Sequence, residues 1–257
     1  MKLRIAQIRI VPEKGNLKGN LSKLLRTLTA LEKHRPDVVI TPECLLDGYV
    51  STRKSVTKRN ILKYAIDPMT STCAEAISAW AARRKAWFVL GCTRKGPLGV
   101  FNSALIYDRR GDLAGMYDKV HCQLHDKKYT PGDSLPVFDS DFGRFGIMIC
   151  ADRRWPETVR TLAVNGSRII FNPTYGACDQ LNLAMMRTRS FESEVFIAFT
   201  HPRQSLITGP KGDVLCDDRR KTPRFSMNTV DLTKVDQWRR KRHPSHLRDR
   251  QVHVYST

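Results

Sequence analysis

Apolar residues follow two patterns along this chain, short continuous runs and stripes at helical spacing. Residues 3–10 predict a strand, and residues 37–41 predict a buried one, because a short apolar run such as 38–40 is typical of a strand covered on both faces. Residues 20–34 place leucines on one stripe and predict an amphipathic helix, and residues 72–85 predict a second. Strands and short helices alternate without a linker or a break in composition. This pattern predicts a single α/β domain over residues 1–257.

The same reading extends to the rest of the chain. The turn at residues 96–99 predicts a hairpin between its flanking strands, and residues 211–213 predict a tight turn. Further strands are predicted at residues 87–93, 100–107, 113–117, 145–149, 168–171, 195–200, 204–209 and 225–231, and further helices at residues 158–164, 180–192 and around 239–242.

Composition narrows the class of protein. Hydrophobic residues make up 41% and charged residues 27% of the 257 residues, as in soluble globular proteins. We expect neither a membrane span nor a secretory leader, because no apolar run has the required length or position. The seven cysteines are odd in number and scattered, without a CxxC pair. This spacing predicts reduced thiols in a cytoplasmic protein, and neither a disulfide framework nor a metal site.

The formal net charge of +19 raises a different possibility, since strongly basic proteins often bind nucleic acids. The positive charge is spread over short clusters in separate regions, and no nucleic-acid-binding motif accompanies it. The run at residues 239–242 lies on a predicted polar helix, for which a solvated face is the usual interpretation. We therefore treat nucleic-acid binding as the minority hypothesis, and a steep loss of affinity with added salt would identify it.

Cys150 is the first candidate for chemistry. It follows the apolar run 145–149, and Pro156 and Glu157 then carry helix-start signals. A thiol between a strand end and a helix N-terminus is well placed for nucleophilic attack, because backbone N–H groups there stabilise the thiolate and the oxyanion. The alternative is that Cys150 is a small buried hydrophobic residue, as most free cysteines are.

Two other strand ends carry complementary groups. Glu43 follows the strand at residues 37–41, and Lys119 follows the strand at residues 113–117. Acyl transfer by a thiol needs a base and a stabiliser for the oxyanion, roles that a carboxylate and an ammonium can fill. Taken singly, each is better explained as an exposed acid or a surface lysine. Their joint placement on what we expect to be neighbouring strands predicts one pocket.

Ordered motifs across nearly the whole chain resemble those of the nitrilase superfamily of carbon–nitrogen hydrolases. Each motif alone is weak, whereas the ordered set is highly specific. The motifs are Pro42-Glu43 with Gly48-Tyr49, Asp118-Lys119-Val-His121, Tyr129-Thr-Pro-Gly-Asp133, Cys150-Ala-Asp-Arg-Arg-Trp-Pro-Glu157, Ile169-Ile-Phe-Asn-Pro173, Arg187-Thr-Arg189-Ser-Phe-Glu192, Gly209-Pro-Lys-Gly212 and Arg248-Asp-Arg250.

The resemblance implies a four-layer αββα sandwich and a triad without a cofactor, assigned here to Glu43, Lys119 and Cys150. It implies a thioester intermediate, with the Ala151 N–H helping Lys119 to hold the oxyanion. It also implies a small amide or carbamoyl substrate, with nitriles less favoured, and a homodimer or larger homo-oligomer formed through the helix after Cys150 and the region near Glu192.

One position departs from the family pattern. Relatives carry a second glutamate between the lysine and the Pro-Gly-Asp turn, whereas residues 122–129 contain none. Asp126 lies about where that glutamate is expected, and His125 is the other candidate. We assign the supporting role to Asp126, whose side chain is one methylene shorter. The altered acid also leaves open a catalytically impaired member that acts as a binding or scaffold subunit.

The residues after the nucleophile bear on the substrate. The string Asp152-Arg-Arg-Trp155 is similar to that of enzymes cleaving N-carbamoyl amino acids, and it implies that Arg153 or Arg154 binds a substrate carboxylate. Equally, both arginines could pair with acids on a helix surface. Tyr49 and Trp155 complete the predicted substrate-binding set. An acyltransferase with an amine acceptor in place of water is a variant with the same chemistry.

Overall fold

Two six-stranded sheets form the centre of the protein in the computed structural model, which describes residues 1–255. The strands within this range are β1 (Lys2–Ile8), β2 (Val38–Ile40), β3 (Trp87–Gly96), β4 (Gly99–Tyr107), β5 (Leu113–Asp118), β6 (Val137–Phe138), β7 (Phe145–Ile147), β8 (Ile169–Pro173), β9 (Phe196–His201), β10 (Gln204–Thr208), β11 (Val214–Asp218) and β12 (Phe225–Asp231). The α-helices are α1 (Leu17–Leu31), α2 (Thr72–Arg84), α3 (Pro156–Val164), α4 (Gln180–Ser193) and α5 (Thr233–Lys241).

The two sheets have corresponding topologies. The first has the strand order β12-β1-β2-β3-β4-β5, and the second has the order β11-β10-β9-β8-β7-β6. In the first sheet β1, β2 and β3 are parallel, and in the second β7, β8 and β9 are parallel. Antiparallel strands complete both sheets on either side. The three central strands of each sheet are therefore parallel, so residues that follow their carboxyl ends lie on the same side of the sheet.

Alternation along the central strands divides the core into three layers. In β1, Leu3 and Ile5 face the second sheet, whereas Ala6 and Ile8 face the helices α1 and α2. A separate apolar layer that includes Met148 and Ile170 packs beneath α3 and α4. Helices thus cover the outer face of each sheet while the inner faces meet. This arrangement confirms the predicted four-layer αββα sandwich.

Most predicted elements are found within a few residues of their predicted ends, including the hairpin of β3 and β4. Two differences concern the region of the nucleophile and the sheet edge. The strand predicted at 145–149 ends at Ile147, and Cys150 begins a 3₁₀ turn that runs to Arg154. Strand β11 was not predicted, because its sequence Val-Leu-Cys-Asp-Asp has three apolar residues followed by two acids and lacks the alternation of a half-buried strand.

The helices of this fold are short and amphipathic. Within residues 1–255, none has both the length and the apolar composition that crossing a lipid bilayer requires. The longest, α1, begins at an N-cap in which the side chain of Asn16 accepts a hydrogen bond from the N–H of Gly19.

Candidate active site

Glu43 is held by a turn that packs against strand β3. The Oγ1 of Thr41 accepts a hydrogen bond from the N–H of Gly91 at 2.8 Å. A Cβ at Gly91 would lie 2.3 Å from the carbonyl oxygen of Pro42, so only glycine allows this approach. The Glu43 side chain is fully buried. Its carboxylate therefore depends on protein groups for its hydrogen bonds.

Three donors satisfy that carboxylate. Oε1 accepts from Nδ2 of Asn102 and from Nζ of Lys119, both at 2.8 Å, and Oε2 accepts from the N–H of Tyr175 at 3.0 Å. Asn102 lies on β4, whereas Tyr175 follows β8 of the opposite sheet. The carboxylate is thus fixed by groups from both sheets.

Lys119 follows β5 and is buried beside two acids. Its backbone N–H donates to the carbonyl of Asn102 at 2.9 Å, which continues the pairing of β4 and β5. Its Nζ lies 2.8 Å from Oε1 of Glu43 and 2.5 Å from Oδ2 of Asp126. Burial opposes the charge of Lys119, but the negative charges of Glu43 and Asp126 outweigh it and hold the pKa of Lys119 well above its usual value. The side chain is therefore an ammonium at neutral pH.

Asp126 supplies the second acid, from the 3₁₀ turn Leu124–Lys128. Its Oδ1 accepts a hydrogen bond from the hydroxyl of Tyr49 at 2.8 Å, while Oδ2 contacts Lys119. Burial, together with the charge of Glu43, raises the pKa of Asp126. His125 contacts the Tyr49 hydroxyl through Nε2 at 3.0 Å. Asp126 therefore contacts Lys119 directly, whereas His125 contacts the hydroxyl of Tyr49.

Cys150 occupies a constrained turn at the end of the second sheet. Its φ is +46°, a left-handed conformation that costs free energy in a residue other than glycine. Oδ2 of Asp152 supports the turn by accepting from the N–H of Ile149 at 2.8 Å and from the hydroxyl of Tyr117 at 2.7 Å. Only 7% of Cys150 is exposed. The outcome is a thiol held at a fixed position with a small opening to solvent.

The ionisation of this thiol is set by burial and by its charged neighbours. Burial raises the pKa of Cys150, and the negative charge of Glu43 raises it further, while Lys119 and Arg153 act in the opposite direction. The net effect keeps the sulfur protonated at neutral pH. A thiol in this state needs a base to become a nucleophile.

The segment Tyr175–Gly176 joins the acid and the thiol. The N–H of Tyr175 is bonded to Glu43, and a Cβ built on Gly176 would lie 3.1 Å from the Sγ of Cys150. Two consecutive residues therefore contact the carboxylate and the sulfur. The structure brings Glu43, Lys119, Cys150 and Asp126 to one buried site.

The predicted substrate-binding residues take different positions. Tyr49 is buried beside Asp126, and Ala151 is half-buried next to the nucleophile. Trp155 stacks on the ring of His121, with centroids 4.0 Å apart and planes within 10°. His121 is fixed in turn by Asp152, whose Oδ1 lies 2.8 Å from its Nδ1. The stacked rings are therefore attached to the nucleophile turn through Asp152.

The two arginines after the nucleophile differ in exposure. Arg153 is 2% exposed and makes its hydrogen bonds with interior groups, whereas Arg154 is exposed, 3.4 Å from Oε1 of Gln123. In the described part of the chain, neither forms a salt bridge with an acid. The alternative that both pair with acids on a helix surface is therefore wrong, because Arg153 is turned into the protein and Arg154 has only an amide nearby.

Sequence reasoning missed Asn102, Tyr175 and Gly176. A buried asparagine within the apolar run of β4 was a signal for the first, because a polar residue in such a strand needs a partner. The expectation that Glu43, Lys119 and Cys150 follow neighbouring strands was also wrong. Strands β2 and β5 lie in one sheet with β3 and β4 between them, and Cys150 follows β7 of the other sheet.

The chain is similar in sequence to known proteins. The sequence model of a family described as "Carbon-nitrogen hydrolase" matches residues 2–240. A nitrilase of Pyrococcus abyssi is 29% identical over 83% of this chain and 84% of its own. A deaminated glutathione amidase of Yersinia enterocolitica is 30% identical over 62% of this chain and 58% of its own.

A solved structure has the same fold. The crystal structure of Nit3 of Saccharomyces cerevisiae, described as a member of branch 10 of the nitrilase superfamily, aligns with a TM-score of 0.81 and 20% identity and covers 93% of both chains. The chain spans 62% and 84% of the lengths of two curated relatives that it matches.

Proposed function

Since the chain belongs to the carbon–nitrogen hydrolase family of the nitrilase superfamily, we propose that it hydrolyses a non-peptide C–N bond of a small amide or N-carbamoyl substrate through a thioester. Glu43 is the base, Cys150 is the nucleophile and Lys119 stabilises the oxyanion. The observation that carries this proposal is the buried contact of Lys119 with Glu43 and Asp126 beside the segment that touches Sγ of Cys150.

The acylation half begins with proton transfer. Glu43 takes the thiol proton, and the sulfur of Cys150 forms a bond to the carbonyl carbon of the substrate. The carbonyl oxygen becomes an oxyanion, which the ammonium of Lys119 and the N–H of Ala151 stabilise. The C–N bond then breaks, and Glu43 returns its proton to the departing nitrogen. Ammonia or an amine leaves, and the acyl group remains on the sulfur as a thioester.

Deacylation repeats the sequence with water. Glu43 takes a proton from a water molecule, and the resulting hydroxide adds to the thioester carbon. The C–S bond breaks, the thiolate of Cys150 recovers its proton from Glu43, and the acid product leaves. Each half reaction returns Glu43 to its charged form, whose oxygens accept hydrogen bonds from Asn102, Lys119 and Tyr175.

The surroundings of the thiol favour a small acyl group. Only 7% of Cys150 is exposed, and a Cβ at Gly176 would lie 3.1 Å from its sulfur, so little space surrounds the thiol. The exposed Arg154 is the better placed of the two arginines to meet a substrate carboxylate. A relative named deaminated glutathione amidase supports an amide over a nitrile. An anionic amide or carbamoyl compound is therefore our proposed substrate class.

Asp126 has a supporting role in this proposal. Its carboxylate contacts the same ammonium of Lys119 as Glu43 does, so that the lysine keeps an acidic partner when Glu43 takes a proton. The complete set of buried, mutually bonded groups favours an enzyme over an impaired scaffold subunit. A scaffold would have no use for a buried lysine between two acids, an arrangement that is costly to maintain.

Intact mass spectrometry tests the proposal. The wild-type protein and Cys150→Ala are incubated with amides, N-carbamoyl amino acids and nitriles, and the reaction is quenched with acid. We expect turnover and an acyl adduct on Cys150 in the wild type, and neither in Cys150→Ala. Cys122→Ala is the matched control, because this partly buried thiol lies near the site. Undiminished turnover by Cys150→Ala would contradict the mechanism.

We also propose a homodimer formed through α3 and α4. Both helices expose large apolar side chains, Val164 at 46% and Leu181 at 73%. Light scattering after size exclusion measures the mass directly. Replacing these residues with Asp should give a monomer if the face is an interface, and an unchanged mass would contradict the proposal.

A further inference from the structure

Arg153 lies directly behind the nucleophile and is tied to three separate segments. Its Nη1 donates to the carbonyl of Cys150 at 2.5 Å, its Nη2 to the carbonyl of Ala177 at 2.9 Å, and its Nε to Oδ1 of Asn182 at 2.6 Å. These acceptors belong to the nucleophile turn, to the loop that carries Gly176 and to the first turn of α4. One planar guanidinium therefore sets the relative position of all three.

The same guanidinium also faces the sulfur. Nη1 lies 3.5 Å from Sγ of Cys150, and the charge sits 5.5 Å from the centroid of the Phe199 ring. Among the described residues, no Asp or Glu lies within salt-bridge distance of Arg153. Its positive charge is buried and is not cancelled by a carboxylate, so it acts at close range on the sulfur.

We propose that Arg153 is a positioning residue for the nucleophile, which holds the left-handed turn at Cys150 and keeps a positive charge beside its sulfur. The proposal rests on the function proposed above and departs from the sequence-based assignment of Arg153 to a substrate carboxylate. That assignment requires two free N–H groups directed at the ligand, whereas three of the five N–H groups of Arg153 donate to protein oxygens and Nη1 also faces Sγ of Cys150.

Two features of the site explain why such a residue is needed. Cys150 has a φ of +46°, so its turn is strained and relaxes unless other groups hold it. Burial and the charge of Glu43 both disfavour a thiolate at this position. The side chain of lysine carries the same charge, but it cannot reach three acceptors that lie in different directions. Arginine meets both requirements at once.

The test measures the thiol without requiring turnover. The rate of alkylation of Cys150 by iodoacetamide, a neutral reagent, is followed by peptide mass mapping from pH 7 to pH 11 in the wild type, Arg153→Gln and Arg153→Lys. We expect Arg153→Gln to move the midpoint of the rate profile up by about one pH unit, which lowers the rate at neutral pH about tenfold. Arg153→Lys should keep the midpoint closer to that of the wild type, because it retains the charge, and should still lose kcat, because it cannot hold the turn.

Arg154→Gln is the matched control, because it removes the same charge from the exposed neighbour, and its alkylation midpoint should stay where it is in the wild type. An unchanged midpoint in Arg153→Gln would overturn the proposal, as would a variant that only raises KM for substrates bearing a carboxylate. Thermal unfolding of each variant identifies a loss of folding. If Arg153→Gln does not fold, the Arg153→Lys variant tests the proposal, by whether it keeps the alkylation midpoint and loses kcat. Failure of the hydrolase proposal would appear separately, as turnover that survives in Cys150→Ala.

Discussion

The ammonium of Lys119 lies 2.8 Å from Oε1 of Glu43, and neither side chain is exposed to solvent. Asp126 contacts the other side of the same ammonium, so the lysine sits between two carboxylates. A buried charge is stable only when it is paired and hydrogen-bonded, and here each partner depends on the others. The base and the oxyanion stabiliser are therefore parts of one unit, which has consequences for substitutions at each position.

Lys119→Met is expected to damage both folding and activity. The variant leaves the carboxylates of Glu43 and Asp126 buried without their shared cation, which should lower the free energy of unfolding by about 3–5 kcal/mol. Turnover should disappear, because no ammonium remains to hold the oxyanion. Urea unfolding and a turnover assay measure the two effects. Lys127→Met, at an exposed position, should change stability by less than about 0.5 kcal/mol. Full turnover by Lys119→Met would exclude its proposed role.

Asp126→Glu is expected to lower kcat about tenfold although it restores the acid that relatives carry. The Asp126 carboxylate is held at both oxygens, by Lys119 and by the Tyr49 hydroxyl, and an added methylene moves it off one of them. Tyr49→Phe removes the hydroxyl alone and serves as the partner in a double-mutant cycle. The two effects should not be additive, because both act on the same carboxylate. An unchanged rate for Asp126→Glu would mean that Asp126 is not the substitute acid.

Much of the fold could be predicted because its strands are strongly patterned. Apolar runs such as that of β9 identify buried strands from sequence alone, and the ordered family motifs then imply the sandwich. The strand β6 has two residues, and β11 has three apolar residues followed by two acids, so neither shows the alternation that predicts a strand. Register between the two sheets also depends on tertiary packing, for example the side chain of Gln7 that donates to the carbonyl of Phe199 across the interface.

The site was predictable only where a side chain carries the chemistry. Glu43, Lys119 and Cys150 have ionisable groups that a motif can record. Gly176 contributes by having no side chain, and Tyr175 contributes a backbone N–H, so their side-chain types give little indication of their roles. Arg153 illustrates a different limit. Its residue type suggested that it binds a substrate carboxylate. Its side chain is instead buried in the protein, and only the fold determines that orientation.

Gly176→Ala is expected to hinder the nucleophile without unfolding the protein. The added Cβ would lie 3.1 Å from Sγ of Cys150, closer than ordinary van der Waals contact, and Gly176 itself is exposed. Because the backbone there is not in the left-handed region, a loss of rate would report the steric contact and not backbone strain. Turnover and alkylation of Cys150 should both fall by about tenfold or more, with an unchanged thermal midpoint. Ala177→Ser alters the next exposed position and should leave both rates near those of the wild type. Equal rates in Gly176→Ala would show that the sulfur points elsewhere.

The stability of the protein in acid should depend on His201, which bonds to the backbone of Tyr175, the residue whose N–H donates to Glu43. Its Nδ1 faces the N–H of Arg203 at 3.1 Å and must accept, so the proton resides on Nε2, which donates to the carbonyl of Tyr175. Burial lowers the pKa of His201 to about 4, against about 6.5 in an unfolded chain.

The unfolded chain therefore binds a proton on this ring at a higher pH than the folded protein does. The stability that the neutral ring provides is fully present above pH 6.5, and it declines as the pH falls towards 4, by about 3 kcal/mol in total. His201→Asn keeps an acceptor but cannot be protonated in this range. Its free energy of unfolding, measured with urea from pH 7 to pH 4, should fall less steeply than that of the wild type. Because all other titrating groups are shared, the difference between the two curves isolates His201, and parallel curves would contradict the assignment.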